Sequence, residues 1–291
     1  MDTYKKPYVI AEIGCNHKGD INIAKELIKV AKIFCNADAV KFQKRNNKEL
    51  LTEAQYNEPH PNPANSYGDT YGAHREFLEF NLHQHGELKA FCEEIGIDYS
   101  TSVWDLTSAK EIASLHPKFI KIPSACNNNI KMLEWLCKNY KGELHISTGM
   151  TTKDEIDDLV SLFKKHNRNK DLVLYNCTSG YPVPFEDVCL LDINILKEKY
   201  GDDVKHIGFS GHHLGIAVDI AAFTLGANII ERHYTLDRTW KGTDHAASLE
   251  PMGLRKLSRD LTAVHDALNF KSKDILPIEQ EQRDKLKNKK G

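Results

Sequence analysis

Apolar residues along this chain fall into two alternating patterns. Short, nearly continuous apolar runs are separated by stretches in which apolar positions recur at helical spacing. The runs predict strands at 8–14, 38–43, 98–103, 119–124, 143–149 and 172–179, with two more inside 207–235. The helical spacing predicts helices at 21–34, 83–95, 108–115, 130–140, 153–166, 188–200 and 214–225, and a last one from Pro251 to near Leu268. End signals agree with these elements. Asp20 and Thr152 stand at N-cap positions, Glu155 completes a capping box with Thr152, and Gly226 is a helix stop. Residues 44–82, rich in Asn, Pro and Gly, predict a long irregular loop, which in a compact domain is usually functional or mobile.

Eight strands alternating with helices give an α/β class, and continuous apolar strands fit a buried parallel sheet. Closed, the sheet is a (β/α)8 TIM barrel; open, it is doubly wound. Polar residues decide for the barrel. Glu12, Lys41, Gln43, Thr101, Lys121, Ser124, Ser147, Ser179, Ser210, His212 and His233 lie at or just past strand C-termini, the face where barrels keep their chemistry. No Gly-rich GxGxxG turn follows a strand, against a dinucleotide fold. The reading is a single barrel domain over residues 1–270 and a charged C-terminal tail over 271–291, a frayed helix or a disordered end.

The stretch 207–235 organises the rest. Its two strands each end in histidine, at Ser210-Gly211-His212-His213 and at Glu231-Arg232-His233. A strand-helix-strand unit makes the strands parallel, so His212 and His233 emerge at one end and can face each other across a cleft. Either the two imidazoles hold a divalent metal, or one is a hydrogen-bonded core histidine.

Composition narrows the function. The chain has 291 residues, 41% of them hydrophobic, enough to fill a barrel core. A net charge of -2 points to neither nucleic acid nor an anionic membrane. Apolar runs are too short for a membrane span, and the N-terminus has no signal-peptide core. Seven scattered cysteines without a CxxC pair suit reduced thiols in a cytoplasmic protein.

Lys41 and Lys121 each sit inside an apolar strand, so each must meet an anion: a carboxylate such as Glu12 or Glu231, or a bound ligand. Ser124, Ser147 and Ser210 follow three different strands and can donate to phosphate oxygens, although any one alone is an ordinary turn residue. Glu12 can act as a base or pair with a lysine. Tyr181, beside Pro182, and Asp244, in the loop after the last strand, can meet a ligand or lie plainly on the surface. Together they point to metal-assisted chemistry on a phosphorylated anion, without fixing the reaction.

The motifs AEIGCNHKGD, DAVKFQ, YGAHREFLEF, IKIPS, ISTGM, CTSGYPVPFEDV, GFSGHHLG, IERHYTLDR and DHAASLEP, in this order, resemble the barrel domain of N-acetylneuraminate (sialic acid) synthases over roughly residues 7–268. The resemblance implies condensation of phosphoenolpyruvate (PEP) with an open-chain sugar aldehyde to a 2-keto sugar acid and inorganic phosphate. It implies a divalent ion, Mn2+ or Mg2+, on His212 and His233. Lys41 and Lys121 match lysines that hold PEP. Ser124, Ser147 and Ser210 match phosphate-binding serines, and Thr101 matches a carboxylate contact. Glu12 matches a glutamate near the reacting centre, and Gln43, Tyr181 and Asp244 match sugar or site contacts. Relatives are homodimers and usually carry a C-terminal antifreeze-like domain, which the chain is expected to lack. Cys126 stands where a sugar-binding glutamate is usual, and Gly211 replaces an aspartate before the metal histidine. The PEP half is thus kept and the sugar half altered. Two other readings stay open. One is an octulosonate-phosphate-type synthase that uses a phosphorylated aldose, with Arg45, Arg75 and Lys241 as candidates for the second phosphate. The other is a non-catalytic barrel subunit of a glycan pathway.

Overall fold

The computed structural model describes residues 4–287. Eight parallel strands close on themselves in sequence order: β1 Tyr8–Gly14, β2 Ala39–Lys44, β3 Asp98–Val103, β4 Phe119–Ile122, β5 Glu143–Ser147, β6 Leu172–Cys177, β7 His206–Gly211 and β8 Ile229–His233. The closed barrel expected from the strand count is what forms. Between β1 and β2 runs α1 (Ile21–Ile33), capped by Asp20, whose carboxylate accepts from the backbone N–H of Asn22 and Ile23.

The stretch expected to be irregular after β2 contains three short helices: α2 (Asn47–Leu50), α3 (Glu53–Asn57) and α4 (Tyr71–Leu78). Each is too short for a periodic apolar stripe to show in sequence, and side-chain caps hold them instead. Asn46, Thr52 and Thr70 each accept from a first-turn N–H. The outer layer continues with α5 (Leu82–Ile95), α6 (Leu106–Ser114), α7 (Ile130–Asn139), α8 (Lys153–Lys165), α9 (Asp192–Tyr200), α10 (Ala217–Leu225) and α11 (Pro251–Ala267). The Thr152–Glu155 capping box forms at α8. Helix α10 begins three residues later than its pattern suggested, because Gly215 turns the chain at φ +74°. Beyond the barrel, α12 spans Pro277–Leu286; the last four residues of the charged tail lie outside the described residues. Among the described residues no helix is long and apolar enough to cross a membrane.

Strand alternation sorts the side chains into two shells. Outward positions such as Val40, Phe42, Tyr99, Ile120 and Phe209 pack under the helices. Inward positions form layers. Ile10, Ala39, Phe119, Val173, Tyr175 and Ile229 make an apolar floor. Two residues further along the same strands stand Glu12, Lys41, Lys121 and Glu231, and two further again Gln43 and His233. The charged layer rests on a dry floor and opens only toward the strand C-termini.

Candidate active site

A cavity of about 420 Å³ opens at that end. Its wall includes Glu12, Lys41, Gln43, Lys121, Ser124, Ser147, Tyr181, Ser210, His212, Glu231, His233 and Asp244. All but one of the residues expected at the site are therefore brought together. Thr101 is the exception and corrects the sequence reading. It is fully buried on the outward shell, where its hydroxyl donates to Tyr99 Oη at 2.7 Å. Parity excludes it, since neighbours along a strand face opposite sides. Ser102, next in sequence, faces the cavity instead and accepts from Lys41 Nζ at 2.6 Å. The alternation through Ser100 and Ser102 carried that signal. Trp104 also lines the wall and was not anticipated.

The buried lysines are paired with carboxylates. Lys41 Nζ lies 2.5 Å from Glu12 and 3.7 Å from Glu231. Lys121 Nζ lies 2.7 Å from Glu231 and 3.7 Å above the Tyr175 ring. Burial alone raises the pKa of Glu12, but the charges of Lys41, His233 and Lys121 outweigh it and hold the carboxylate well below its usual range. Burial lowers the pKa of Lys41, yet Glu12 and Glu231 more than reverse this and keep it cationic. Lys121 is pushed down, by burial first and by neighbouring Lys41, with Glu231 only partly compensating. Glu231 also accepts from Ser210 at 3.1 Å, and its other oxygen, Oε2, is buried without a partner.

Serine hydroxyls gather on one side. A Cβ built on Gly149 would collide with Ser179 Oγ and come 2.8 Å from Ser124 Oγ, so both hydroxyls converge over a bare stretch of backbone. Ser147 and Ser210 stand on the adjoining strands and complete a donor-rich pocket beside Lys121.

The histidine pair forms as the strand-helix-strand unit required. The rings of His212 and His233 lie 5.5 Å apart between centroids, and Tyr181 packs 4.4 Å from His212. Burial, then the proximity of His233, pushes His212 down to about 4, so it is neutral near pH 7. Its Nδ1 lies 3.0 Å from the Thr178 carbonyl; the neutral ring must donate there, leaving the Nε2 lone pair free. His233 Nε2 is 3.6 Å from Glu12 Oε2, and its Nδ1 is buried with no hydrogen-bond partner. Two neutral-capable nitrogens without partners fit a divalent cation as a two-donor edge. Among the described residues no cluster of three or more His, Cys, Asp or Glu is arranged to hold one.

Opposite the serines, Gly14 (φ +56°) keeps open a space around which Gln43 Nε2, Asp244 Oδ2 and His233 Cε1 stand 3.3, 3.7 and 3.8 Å from where a Cβ would sit. The cavity thus has a lysine- and hydroxyl-lined pole at β4, β5 and β7, a nitrogen pair at β7 and β8, and an end at β1 and β2 where Gln43, Asp244 and Arg45 stand.

The sequence matches the NeuB family model over residues 27–273. It is 41% identical to human N-acetylneuraminate-9-phosphate synthase over 96% of this chain and 76% of that one. It is 34% identical to the N,N'-diacetyllegionaminic acid synthase of Campylobacter jejuni subsp. jejuni, over 95% of this chain and 81% of that one. Among solved structures, an N-acetylneuraminic acid synthetase from Leptospira borgpetersenii in complex with citrate superposes with a TM-score of 0.80 at 30% identity. The match covers 98% of this chain and 94% of that one.

Proposed function

The chain belongs to the NeuB family, and from that we propose that it condenses phosphoenolpyruvate with an open-chain sugar aldehyde to give a 2-keto sugar acid and inorganic phosphate. One observation carries the reading: a lysine-serine pocket suited to a phosphorylated carboxylate and a pair of available imidazole nitrogens share one cavity.

Lys41 and Lys121 hold the carboxylate and phosphate of PEP, and the Ser124, Ser147, Ser179 and Ser210 hydroxyls donate to the phosphate oxygens. The nucleophilic C3 of PEP then points toward His212 and His233. When bound to these two side chains, a divalent cation supplies Lewis acidity to a carbonyl oxygen. Gln43, Tyr181 and Asp244 position the aldose. The C3–aldehyde bond forms as the enol phosphate donates its electrons, leaving a cationic C2 and an alkoxide that takes up the proton released when water adds. Water adds to C2, with ionised Glu12 orienting it through a hydrogen bond. The C2–O bond to phosphate then breaks, and the hydroxyl left on C2 becomes the keto group. The low-lying pKa of Glu12 suits orientation and charge stabilisation of C2 better than permanent proton uptake. Ser102 takes the place expected for Thr101 at the carboxylate end, through Lys41.

In this reading residues 1–270 form the synthase barrel, the charged segment beyond lies outside the site, and the protein acts as a cytoplasmic homodimer, for which sedimentation gives the direct test. Release of phosphate from PEP is expected to require both an aldose of the N-acylmannosamine class and a divalent ion, and to stop on chelation. PEP left intact across a panel of free, N-acylated and phosphorylated aldoses would refute it.

A further inference from the structure

The reaction assigned above gives Tyr175 no part, yet the floor of the barrel is shaped around it. Its side chain is fully buried and stands inward on β6. The paired position on β7 is Gly208, where a Cβ would come 2.8 Å from both Cδ1 and Cε1 of the ring. No larger residue fits there while the ring keeps its place. The ring turns its face to the charged layer: Lys121 Nζ lies 3.7 Å above its centroid.

At the far edge of the ring the hydroxyl meets His145 Nδ1 at 2.7 Å, and His145 Nε2 lies 3.2 Å from Glu143. His145 is buried and stacks on Phe119, with ring centroids 4.1 Å apart. The anionic end of this column fixes its protons. Burial would raise the pKa of Glu143, but hydrogen bonds from His145 and Lys205 bring it down to about 2, so it is a carboxylate that only accepts. Burial pushes His145 down to about 4 against the pull of Glu143, so the ring is neutral near pH 7. Nε2 must then carry the proton that faces Glu143, and Nδ1 must accept. The Tyr175 hydroxyl therefore donates to His145, and burial lifts its own pKa well above the usual value, so that proton stays.

A hydroxyl committed to His145 does not turn toward a ligand or toward Lys121, and only the π face meets the ammonium. Its donation also adds electron density to the ring, which strengthens the attraction for a cation. Lys121 has need of it. Glu231 stands at 2.7 Å, while burial and the charge of Lys41 both disfavour the ammonium. Lys41 is held differently, by Glu12 and Ser102. With an aliphatic residue in place of Tyr175, Lys121 would rest on a floor that offers a cation nothing.

We propose that Tyr175 is a positioning residue for Lys121: its π face, oriented through His145 and Glu143, holds the ammonium at the height where an anionic ligand in the cavity meets it. The proposal rests on the reading that Lys121 contacts PEP, and adds how the lysine is readied for it.

NMR of protein labelled at the lysine ε-carbons tests it, with the Lys121 signal assigned by its absence in Lys121→Arg. In the wild type its ε-protons are expected upfield of those of the other lysines, because an aromatic face shields what lies above it. Unshifted ε-protons would overturn the proposal without any change to the floor. Tyr175→Met keeps bulk and removes the π face. It is expected to lower the titration midpoint of Lys121 by about 1–1.5 pH units, the worth of a desolvated cation–π contact. It is also expected to weaken PEP binding in calorimetry by about 3–30-fold. Glu231 on β8, Lys41 on β2, Glu12 on β1 and Cys177 on β6, the charged and titratable groups that face Lys121, stay in place. Tyr175→Phe keeps the face, and is expected to hold the midpoint within about 0.5 pH unit of the wild type while melting lower for want of the bond to His145. A ring that only filled the floor would lower the melting temperature in both variants and leave the midpoint and the PEP affinity of Tyr175→Met unchanged; that result overturns the proposal. A lowered midpoint in Tyr175→Met, with no PEP bound even by the wild type, would support the column and count only against PEP as the ligand.

Discussion

Lys121 has three neighbours that pull its properties in different directions: Glu231 at 2.7 Å, the Tyr175 ring at 3.7 Å, and the positive charge of Lys41. Burial and Lys41 together disfavour its ammonium, which an anionic ligand would favour. Lys121→Met is expected to raise the KM for PEP by about 10–100-fold, the worth of a charge-assisted contact. It should also cost about 3 kcal/mol of stability, because buried Glu231 loses its nearer cation and keeps only Lys41 at 3.7 Å. Adding Glu231→Gln should recover much of the stability and none of the activity; urea unfolding beside steady-state kinetics checks both. Gly14 tests the other end of the cavity. Gly14→Ala places a methyl 3.3 Å from Gln43 Nε2 at a φ of +56°, a conformation costing an L-residue about 1 kcal/mol. The KM for the aldose is expected to rise more than that for PEP; an equal change in both would place the aldose elsewhere. At this scale the sequence was informative because buried charges are rare. Lys41 and Lys121 stood out in apolar strands, and both now face carboxylates that had been weighed as partners. Thr101 has suitable chemistry but the wrong parity, which turns it outward, and Ser102 and Trp104 in the same strand-end segment face the cavity.

Strands were more legible than helices, and long helices more than short ones. Each strand shows as an apolar run because it is buried on both faces. Helices α2, α3 and α4 left little trace, being held by Asn46, Thr52 and Thr70 rather than by an apolar stripe. That hidden segment carries Arg75. The α8 capping box was readable because its Thr152 and Glu155 signature is local. There the Thr152 hydroxyl accepts from Glu155 N–H and the Glu155 carboxylate accepts from Thr152 N–H. Thr152→Ala is expected to cost about 1 kcal/mol in urea unfolding while turnover stays as in the wild type, since Thr152 lies outside the cavity wall. A loss of activity without a loss of stability would mean that the α8 entry shapes the phosphate pocket directly.

For the molecule as a whole, closure of the barrel sets one solvent-excluded shell around another, and several histidines are buried within them. Burial, aided by the charges of Arg45 and Lys44 respectively, pushes His17 and His85 down to about 3. Burial also takes His145 down to about 4 against the opposing pull of Glu143. Their folded pKa values lie below the unfolded value near 6.5. The stability they represent is therefore complete above that pH and is lost as the pH falls toward 4, where the unfolded chain binds protons that the folded chain refuses. Each contributes a slope of up to about 1.4 kcal/mol per pH unit in that window. Urea midpoints are expected to be flat from pH 8 to 7 and to fall steeply below about 6.5; a flat profile down to pH 5 would mean that these rings are protonated in the folded protein. The barrel itself was legible from the number and alternation of elements, and the gathering of strand-end residues at one mouth followed from parallel strands alone. What surrounds the acceptor was less legible, because Arg45 and Trp104 reach the cavity from just past the ends of β2 and β3.

The central event of the proposed reaction is a carbon–carbon bond made between two substrates in one cavity. The direct measurement is carbon NMR of a reaction containing PEP enriched with the magnetic carbon isotope at C3 and an N-acylmannosamine, free or phosphorylated, enriched at its aldehyde carbon. A one-bond coupling between the two enriched carbons, growing in step with released phosphate and absent when His212 and His233 are both replaced by alanine, is the expected result. Phosphate released with pyruvate as the labelled product and no such coupling would contradict it.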